Sequence, residues 1–351
     1  MGNPNKQNPE KKNPIVRAIG FLFSSIIGGY AAITLIISAY FYLVPPQTAA
    51  AGFVLSGYYL ILIATFFVAL IIALLLRKLW IILLLLPNIL IIGLFVYPYY
   101  APKTPAVADG MTIRVMTYNI QNQTDEGIRN TYAELVESIG PGIVAFQEFP
   151  DFNYFRWQDS GQLSSYPYIA IGTVNGESIP GQGVYSQYPI LSEEVWVYED
   201  LSPSHPHQRL VLDINGSQVV LYNIHPFPPI EWDRGYAFAA NAGDLFAHAE
   251  TMNRLVERIQ AETLPVIVVG DMNMSDQFPQ YRQMSGILTD SFMEAGDGFG
   301  FTYPAARGIP QLIRLDYIFY SSQFQAVNAV VLADMNTSDH LPVVADLVLS
   351  N

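Results

Sequence analysis

The chain has 351 residues, 51% of them hydrophobic and only 13% charged, with a formal net charge of −13. That composition excludes a chain solvated by water along its whole length, and the length exceeds that of a typical single domain. The absence of cysteine fits an exposed domain that uses no thiol chemistry and is large enough to fold without disulfides.

Residues 1–17 form a basic N-terminus carrying Lys6, Lys11, Lys12 and Arg17. From Ala18 to Leu76, and again from Leu79 to Pro102, there is no Asp, Glu, Lys or Arg; only Arg77 and Lys78 interrupt. A helix needs about 20 apolar residues to cross a hydrocarbon core. The first stretch therefore accommodates two spans and the second one, near 18–44, 53–76 and 79–98. PPQTAAAG breaks the first stretch, since Pro45 and Pro46 cannot continue a helix and Gln47 and Thr48 suit the interface. A cleaved signal peptide has a shorter apolar core and no further spans behind it. Residues 18–102 read as a three-helix membrane anchor.

Basic residues before the first span and between the second and third predict a cytoplasmic N-terminus and an extracytoplasmic C-terminal domain, with Lys103 alone opposing. Tyr97, Tyr99 and Tyr100 at the end of the third span read as an interfacial aromatic belt. A linker at 103–110 leads into a domain over 111–351.

Residues 104–351 hold ten arginines, no lysine and 29 acidic residues, leaving a formal −19. Neutralising phosphates is the main source of affinity for DNA or RNA, so the charge disfavours a nucleic-acid partner.

TIRVMTYNI alternates as a half-buried strand, with Ile113, Val115 and Thr117 opposite Arg114 and Met116. GIRNTYAELVESIG has helical periodicity and stops at Gly140 and Pro141. GIVAFQEF, GVYSQYPIL, HQRLVLDI, SQVVLYNIHP, LPVIVVGDMN, LDYIFY and LPVVADLVLS are further strand candidates. AFAANAGDLFAHAETMNRLVERIQ reads as a long amphipathic helix. Strands mixed with helices predict an α/β fold with a layered sheet core and covering helices.

Polar side chains collect where these apolar runs stop: Asn119, Glu148, Asn223, His225, Asp271, Asn273, Asp316, Asp339 and His340. Singly, each is an ordinary strand-end or turn residue. Together they assemble oxygen and imidazole groups in one domain.

The ordered set MTYNI, FQEF, NIHP, GDMN, LDYIF and SDHLPV resembles the endonuclease/exonuclease/phosphatase superfamily over 110–351. The resemblance implies a four-layered α/β sandwich of DNase I-like type, here preceded by three transmembrane α-helices. It implies Glu148 as the primary Mg²⁺ ligand with Asn119 beside it and Asp339 on the metal side, Mn²⁺ being an alternative ion. Asp271 and Asn273 resemble the pair that positions water and the phosphoryl oxygens. Asp316 resembles the acid that orients His340, and His225 the second histidine on the phosphate, with Asn223 expected beside it as a substrate-binding residue. One departure is PGIVAF, where Gly142 replaces the usual acidic residue. A second is the lack of recognisable basic loops for gripping DNA.

Elementary chemistry agrees with these roles. Mg²⁺ prefers hard oxygen ligands and disfavours a nitrogen or sulfur cage. Phosphoester cleavage needs charge neutralisation at the non-bridging oxygens and an in-line water. An imidazole backed by a carboxylate changes protonation near neutral pH; whether Asp271 or His340 takes the proton of water stays open. PFPPIEWDRGYAF carries Phe227, Trp232, Tyr236 and Phe238 near Arg234, a candidate substrate-binding or interfacial segment. The layout resembles the membrane-anchored phosphatases associated with glycopeptide resistance, which implies a lipid-linked phosphate or small phosphoester as substrate and the bilayer as a partner. The alternatives are an extracellular nuclease and a non-catalytic binding module on the same fold.

Overall fold

The computed structural model describes residues 14–103, 110–172, 181–229, 242–305, 310–333 and 337–350. The chain divides into two compact units, Met1–Pro45 with Gly57–Tyr97, and Pro46–Ser56 with Pro98–Asn351.

The helices are α1 (Pro14–Leu43), α2 (Ala49–Leu75) and α3 (Leu79–Tyr100), each long and apolar enough to cross a membrane. Both α1 and α2 begin four residues before the expected starts at 18 and 53. Pro14 stands at the head of α1, where its missing N–H costs no helical bond. At α2, alanines favour helix from residue 49 onward, and the Thr48 hydroxyl accepts from the Ala51 N–H at 3.2 Å. Inside the first unit Ile27, Ala31, Phe66, Ala73, Ile81 and Leu85 pack together. Asn88 is buried there, donating to the Ala31 carbonyl and accepting from the Thr34 hydroxyl, both at 3.2 Å. A polar side chain in such a helix is tolerated when neighbouring helices satisfy it in this way.

The second unit is built on two six-stranded sheets. In chain order its elements are β1 (Gly110–Asn119), α4 (Glu126–Ile139), β2 (Ile143–Phe149), α5 (Asp151–Ser160), β3 (Tyr168–Gly172), β4 (Gly181–Ser186), β5 (Ile190–Tyr198), β6 (Ser202–Ile214), β7 (Ser217–Asn223), α6 (Ala242–Gln260), β8 (Val266–Asp271), α7 (Pro279–Ser285), β9 (Thr289–Asp290), α8 (Ser291–Ala295), β10 (Asp316–Tyr320), β11 (Phe324–Val331) and β12 (Val343–Ser350). One sheet runs β11-β12-β1-β2-β4-β3 and the other β5-β6-β7-β8-β10-β9. β1 and β2 pair in parallel, as do β7 and β8.

Between the sheets lies one core, with Ile113, Val115, Ile143 and Ala345 facing Leu210, Leu221, Ile267 and Ile318. A second core forms where Tyr132 and Val136 of α4 and Trp157 of α5 cover Met116, Tyr118 and Phe146. A third forms where Met252 and Leu255 of α6 and Met284 of α7 cover Tyr222, Val268 and Phe319. The layers are therefore helix, sheet, sheet, helix, the expected four-layered sandwich.

This layering changes the reading of β1. Alternation predicts a half-buried strand, but Val115 to Asn119 are buried on both faces because α4 and α5 cover the outer one. GVYSQYPIL is not one strand: β4 ends at Ser186 and β5 starts at Ile190. Pro189 between them has no N–H to donate to a ladder. α4 has the predicted end, with Gly140 in a left-handed conformation (φ 61°), and Asp125 caps its start by accepting from the Ile128 N–H. The long helix is described from Ala242, and the part before it lies outside the described residues.

Candidate active site

The polar ends of β1, β2, β8 and β10 converge because parallel β1–β2 and parallel β7–β8 send their C-terminal ends the same way in each sheet. Asp316 and Asp271 are direct partners across β10 and β8, so their side chains emerge side by side.

At the end of β8, Gly270 has φ +140°, and a Cβ there would sit 1.9 Å from the Ile224 carbonyl oxygen. Only glycine lets β8 lie this close to the segment entering His225. Strand alternation predicts that Asp271 and Asn273 share a face. They do share the pocket, but for another reason. β8 has ended, Asn273 is left-handed at φ 47°, and its N–H donates to Asp271 Oδ1 at 2.9 Å. An Asx turn, rather than continued extension, brings the two together. The Asn273 amide nitrogen also donates to the Pro226 carbonyl at 3.0 Å, tying this turn to the His225 segment.

Glu148 sits in a register shift between Phe146 and Phe149 and is also left-handed, at φ 49°. Non-glycine residues held this way cost free energy and gather at functional sites. Asn119 donates from its amide nitrogen to Glu148 Oε1 and to Asp271 Oδ2, both at 3.0 Å, while its Oδ1 accepts from the Gln121 N–H. The expected ligand partner of Glu148 is thus the clamp between two carboxylates, presenting nitrogen to them.

Loop 337–340 is tied down residue by residue. The Tyr132 hydroxyl donates to the Thr337 carbonyl at 2.6 Å, the Ser338 hydroxyl to the Asn119 carbonyl at 2.8 Å, and the His340 N–H to the Ser338 hydroxyl at 3.1 Å. His340 Nδ1 then meets Asp316 Oδ2 at 2.8 Å. That contact leaves Nε2 to face Asp271 Oδ2 at 3.6 Å. His225 Nε2 faces the same Asp271 oxygen at 3.6 Å, and Glu148 Oε1 at 3.8 Å. One carboxylate oxygen therefore has an imidazole on each side.

The electrostatics separate the two histidines. Burial alone would lower the His340 pKa, but Asp316 and Asp271 outweigh it and push it up to about 10. Burial lowers the His225 pKa, Asp271 opposing and His340 reinforcing. At neutral pH the first is a cation and the second is neutral, a division that suits acid and base duties in one site. Burial raises the Asp271 pKa against the pull of His340. Asp339 is raised too, by burial first, with His340 opposing and Glu148 adding to the rise.

The pocket over these groups measures about 460 Å³. Its lining combines Glu148, Asp271, Asn273, Asp339 and both histidines with the apolar Phe227, Met274, Phe278, Ile313 and Leu315. Among the described lining residues there is no lysine or arginine. Glu148, Asp271 and Asp339 line this pocket and offer the hard oxygens that Mg²⁺ or Mn²⁺ prefers. The ligand atoms that come within 4.8 Å of one another among the described residues belong to Asp271, Asp316 and His340; Asp316 Oδ2 and His340 Nδ1 are taken up by each other, while Asp316 Oδ1 is buried without a hydrogen-bond partner.

Asn223 is placed differently. It is fully buried, accepting from the Gln147 amide at 2.7 Å and donating to the Phe146 carbonyl at 3.1 Å. Its side chain bridges the two sheets beneath the site and does not line the pocket. Arg234, Trp232, Tyr236 and Phe238 lie outside the described residues. His205, which the sequence reading passed over, lines the pocket beside His225. The signal for it was present: Pro203 and Pro206 flank it in what would otherwise extend the HQRLVLDI strand.

A family model described as "Endonuclease/Exonuclease/phosphatase family" matches residues 116–340. Among solved structures, an endonuclease/exonuclease/phosphatase from Beutenbergia cavernae is 22% identical, with 68% of this chain and 72% of that one covered and a TM-score of 0.54. A mannosyl-6-phosphatase from Bacteroides thetaiotaomicron is 18% identical over 68% of this chain and 100% of that one, with a TM-score of 0.51. TDP2 from D. rerio, complexed with a single-strand DNA product, is 14% identical over 67% of this chain and 98% of that one, at 0.54. These likenesses establish the fold. No curated protein matches the chain.

Proposed function

Since the chain belongs to the endonuclease/exonuclease/phosphatase family, whose members hydrolyse phosphoester bonds, we propose that it is a membrane-anchored, metal-dependent phosphoesterase acting on a lipid-linked phosphate at the extracytoplasmic side. The observation that carries the reaction is Asp271 Oδ2, held by Asn119 at 3.0 Å and flanked by two imidazole Nε2 atoms at 3.6 Å. A tetrahedral phosphoryl group over that oxygen is within reach of a donor on either side.

In this reading water adds to phosphorus, the bond to the ester oxygen breaks, and the departing alkoxide receives a proton. Asp271 orients the water and Asn273 holds its backbone turn. Protonated His340, steadied by Asp316, neutralises a non-bridging oxygen and has a proton to give. Neutral His225, on the opposite flank, accepts the proton that the attacking water gives up, and the proton of His340 goes to the departing alkoxide. Glu148 and Asp339 would hold a divalent cation, with Asn119 fixing the carboxylate of Glu148. When bound, such a cation supplies Lewis-acid polarisation of the phosphoryl oxygens. The donor set fits it: acidic groups crowd a pocket whose described lining has no lysine or arginine to balance them.

The apolar lining residues Met274, Phe278, Ile313 and Leu315 support a substrate with a hydrocarbon portion. The three apolar helices support residence in the membrane, and the flanking Lys and Arg support the orientation. The acidic domain opposes nucleic acid. The test offers the full chain in detergent micelles a long-chain alkyl phosphate, a phospholipid diester and plasmid DNA, each with Mg²⁺ and with EDTA. Metal-dependent release from a lipid is expected. Nicking of DNA alone would instead establish a nuclease, and no turnover with any substrate would leave a binding module.

A further inference from the structure

β6 is not continuous with its partner β5. Trp196 pairs with His207 and Tyr198 pairs with Ser202, so one residue of β5 stands opposite four of β6. Those four are Pro203, Ser204, His205 and Pro206. Neither proline has an N–H for the ladder, so the segment leaves the sheet as a wide bulge, a device that re-aims a side chain. Its base is fixed: the Pro206 carbonyl accepts from Gln182 Nε2 at 2.9 Å, and His207 Nδ1 accepts from the His225 N–H at 3.4 Å. The side chain delivered to the pocket is His205.

The pocket groups form a chain of neighbours around the reacting position. The Tyr303 ring lies 4.9 Å from His340, His340 and His225 flank Asp271, the His205 ring lies 5.2 Å from His225, and Phe227 lies 5.1 Å from His205. A phosphoryl group over Asp271 can thus send one substituent toward Tyr303 and another toward His205. The Tyr303 flank continues to Ile313, with which Tyr303 pairs, and to Leu315, and it is apolar. On the other flank, His205 offers an imidazole whose Nδ1 sits 3.1 Å from the Ser204 hydroxyl. Burial first, then His225, lowers its pKa to about 3, so it is neutral. With Nδ1 taken up by the Ser204 hydroxyl, Nε2 is left as a single neutral partner for a substrate hydroxyl, which can either donate or accept.

We propose that this flank is a head-group subsite, that His205 binds a hydroxyl there, and that the preferred substrate is a phosphodiester joining an apolar alcohol to a hydroxylated one. The proposal rests on the phosphoesterase reading but does not require the apolar alcohol to be a lipid.

The test uses the full chain in detergent micelles with Mg²⁺ and two water-soluble diesters, glyceryl p-nitrophenyl phosphate and propyl p-nitrophenyl phosphate. They share a leaving group and differ only in hydroxyls. The readout is the ratio of their kcat/KM values. Wild type should prefer the glyceryl ester by about fivefold to tenfold, the range one or two neutral hydrogen bonds provide. His205→Ala should bring the ratio near one, and His205→Gln should restore part of it. A purely structural role would lower both rates and leave the ratio alone. An unchanged ratio in His205→Ala, a wild-type ratio near one, or cleavage of neither diester while a lipid phosphate is hydrolysed overturns the inference. If the ratio behaves as expected but no lipid is cleaved, the lipid assignment alone falls.

Discussion

Replacing Asp316 by Asn separates charge from position at His340. Asp316 is buried on β10, and its Oδ2 is 2.8 Å from His340 Nδ1. An asparagine fits the same space, and its carbonyl oxygen can still accept from Nδ1–H, so the ring keeps its orientation. The charge, however, is gone, and Asp316 is foremost among the groups that raise the His340 pKa against burial. A hydrogen bond to a charged group is worth about 1.5–3 kcal/mol net, which converts to roughly 10- to 150-fold in rate. If the proton donor itself is lost, general acid–base catalysis worth about 10² to 10⁴ goes with it. Asp316→Asn should therefore lower kcat by at least about tenfold with little change in KM. Its sign with pH also follows: with a lower folded pKa, His340 deprotonates earlier, so the variant should lose activity at lower pH than wild type. The assay is steady-state hydrolysis of a chromogenic phosphodiester at saturating Mg²⁺ across pH, with circular dichroism to confirm folding. A folded Asp316→Asn enzyme within threefold of wild type at every pH would refute the role given to this pair.

Three further outcomes test the scaffold. Gly270→Ala places a Cβ 1.9 Å from the Ile224 carbonyl and should cost about 2–4 kcal/mol, read as a fall in Tm of several degrees; an unchanged Tm would show that β8 has room to shift. Arg314 is 3% exposed and pairs with Asp290 at 2.8 Å. Arg314→Ala removes that countercharge but leaves Asp290 its bonds from the Tyr281 hydroxyl and the Phe292 and Met293 N–H groups, so a loss of about 1.5–3 kcal/mol is expected by thermal unfolding, and an unchanged Tm would contradict the pairing. Glu262 accepts from Arg209 at 2.6 and 2.9 Å and from the Tyr222 hydroxyl. The Arg209 hydrogen bond, against burial, lowers its pKa. Its contribution is therefore present above the unfolded value, about 4.3, and fades as pH falls through the lower folded one. Glu262→Gln should flatten stability against pH in that acid window, and an unaltered profile would contradict the assignment.

What the sequence made legible was local. Asn119, Glu148 and Asp271 stand at or near the end of an apolar strand and Asp316 at the head of one, and a strand that must stay dry releases most of its polar side chains at its ends. Register and covering layers were not legible. Asn223 looks like another strand-end residue, yet it turns inward to a Gln147 amide 76 residues away in sequence. β1 reads as half-buried because nothing in its own pattern announces α4 and α5 on its outer face. β3, β9 and β11 are short or at sheet edges and carry little periodicity. His205 escapes because prolines inside a strand normally argue against a strand, while here they create the bulge that delivers it.

In the proposed reaction, phosphoester bonds break at Asp271, between His225 and His340. Turnover by Asp271→Asn measures it most directly, with the full chain in micelles and a long-chain alkyl phosphate as substrate at saturating Mg²⁺. Loss of at least about 10³-fold in kcat, from removing a preorganised charge and a proton-handling group together, is predicted. A folded Asp271→Asn protein with kcat within tenfold of wild type would contradict it.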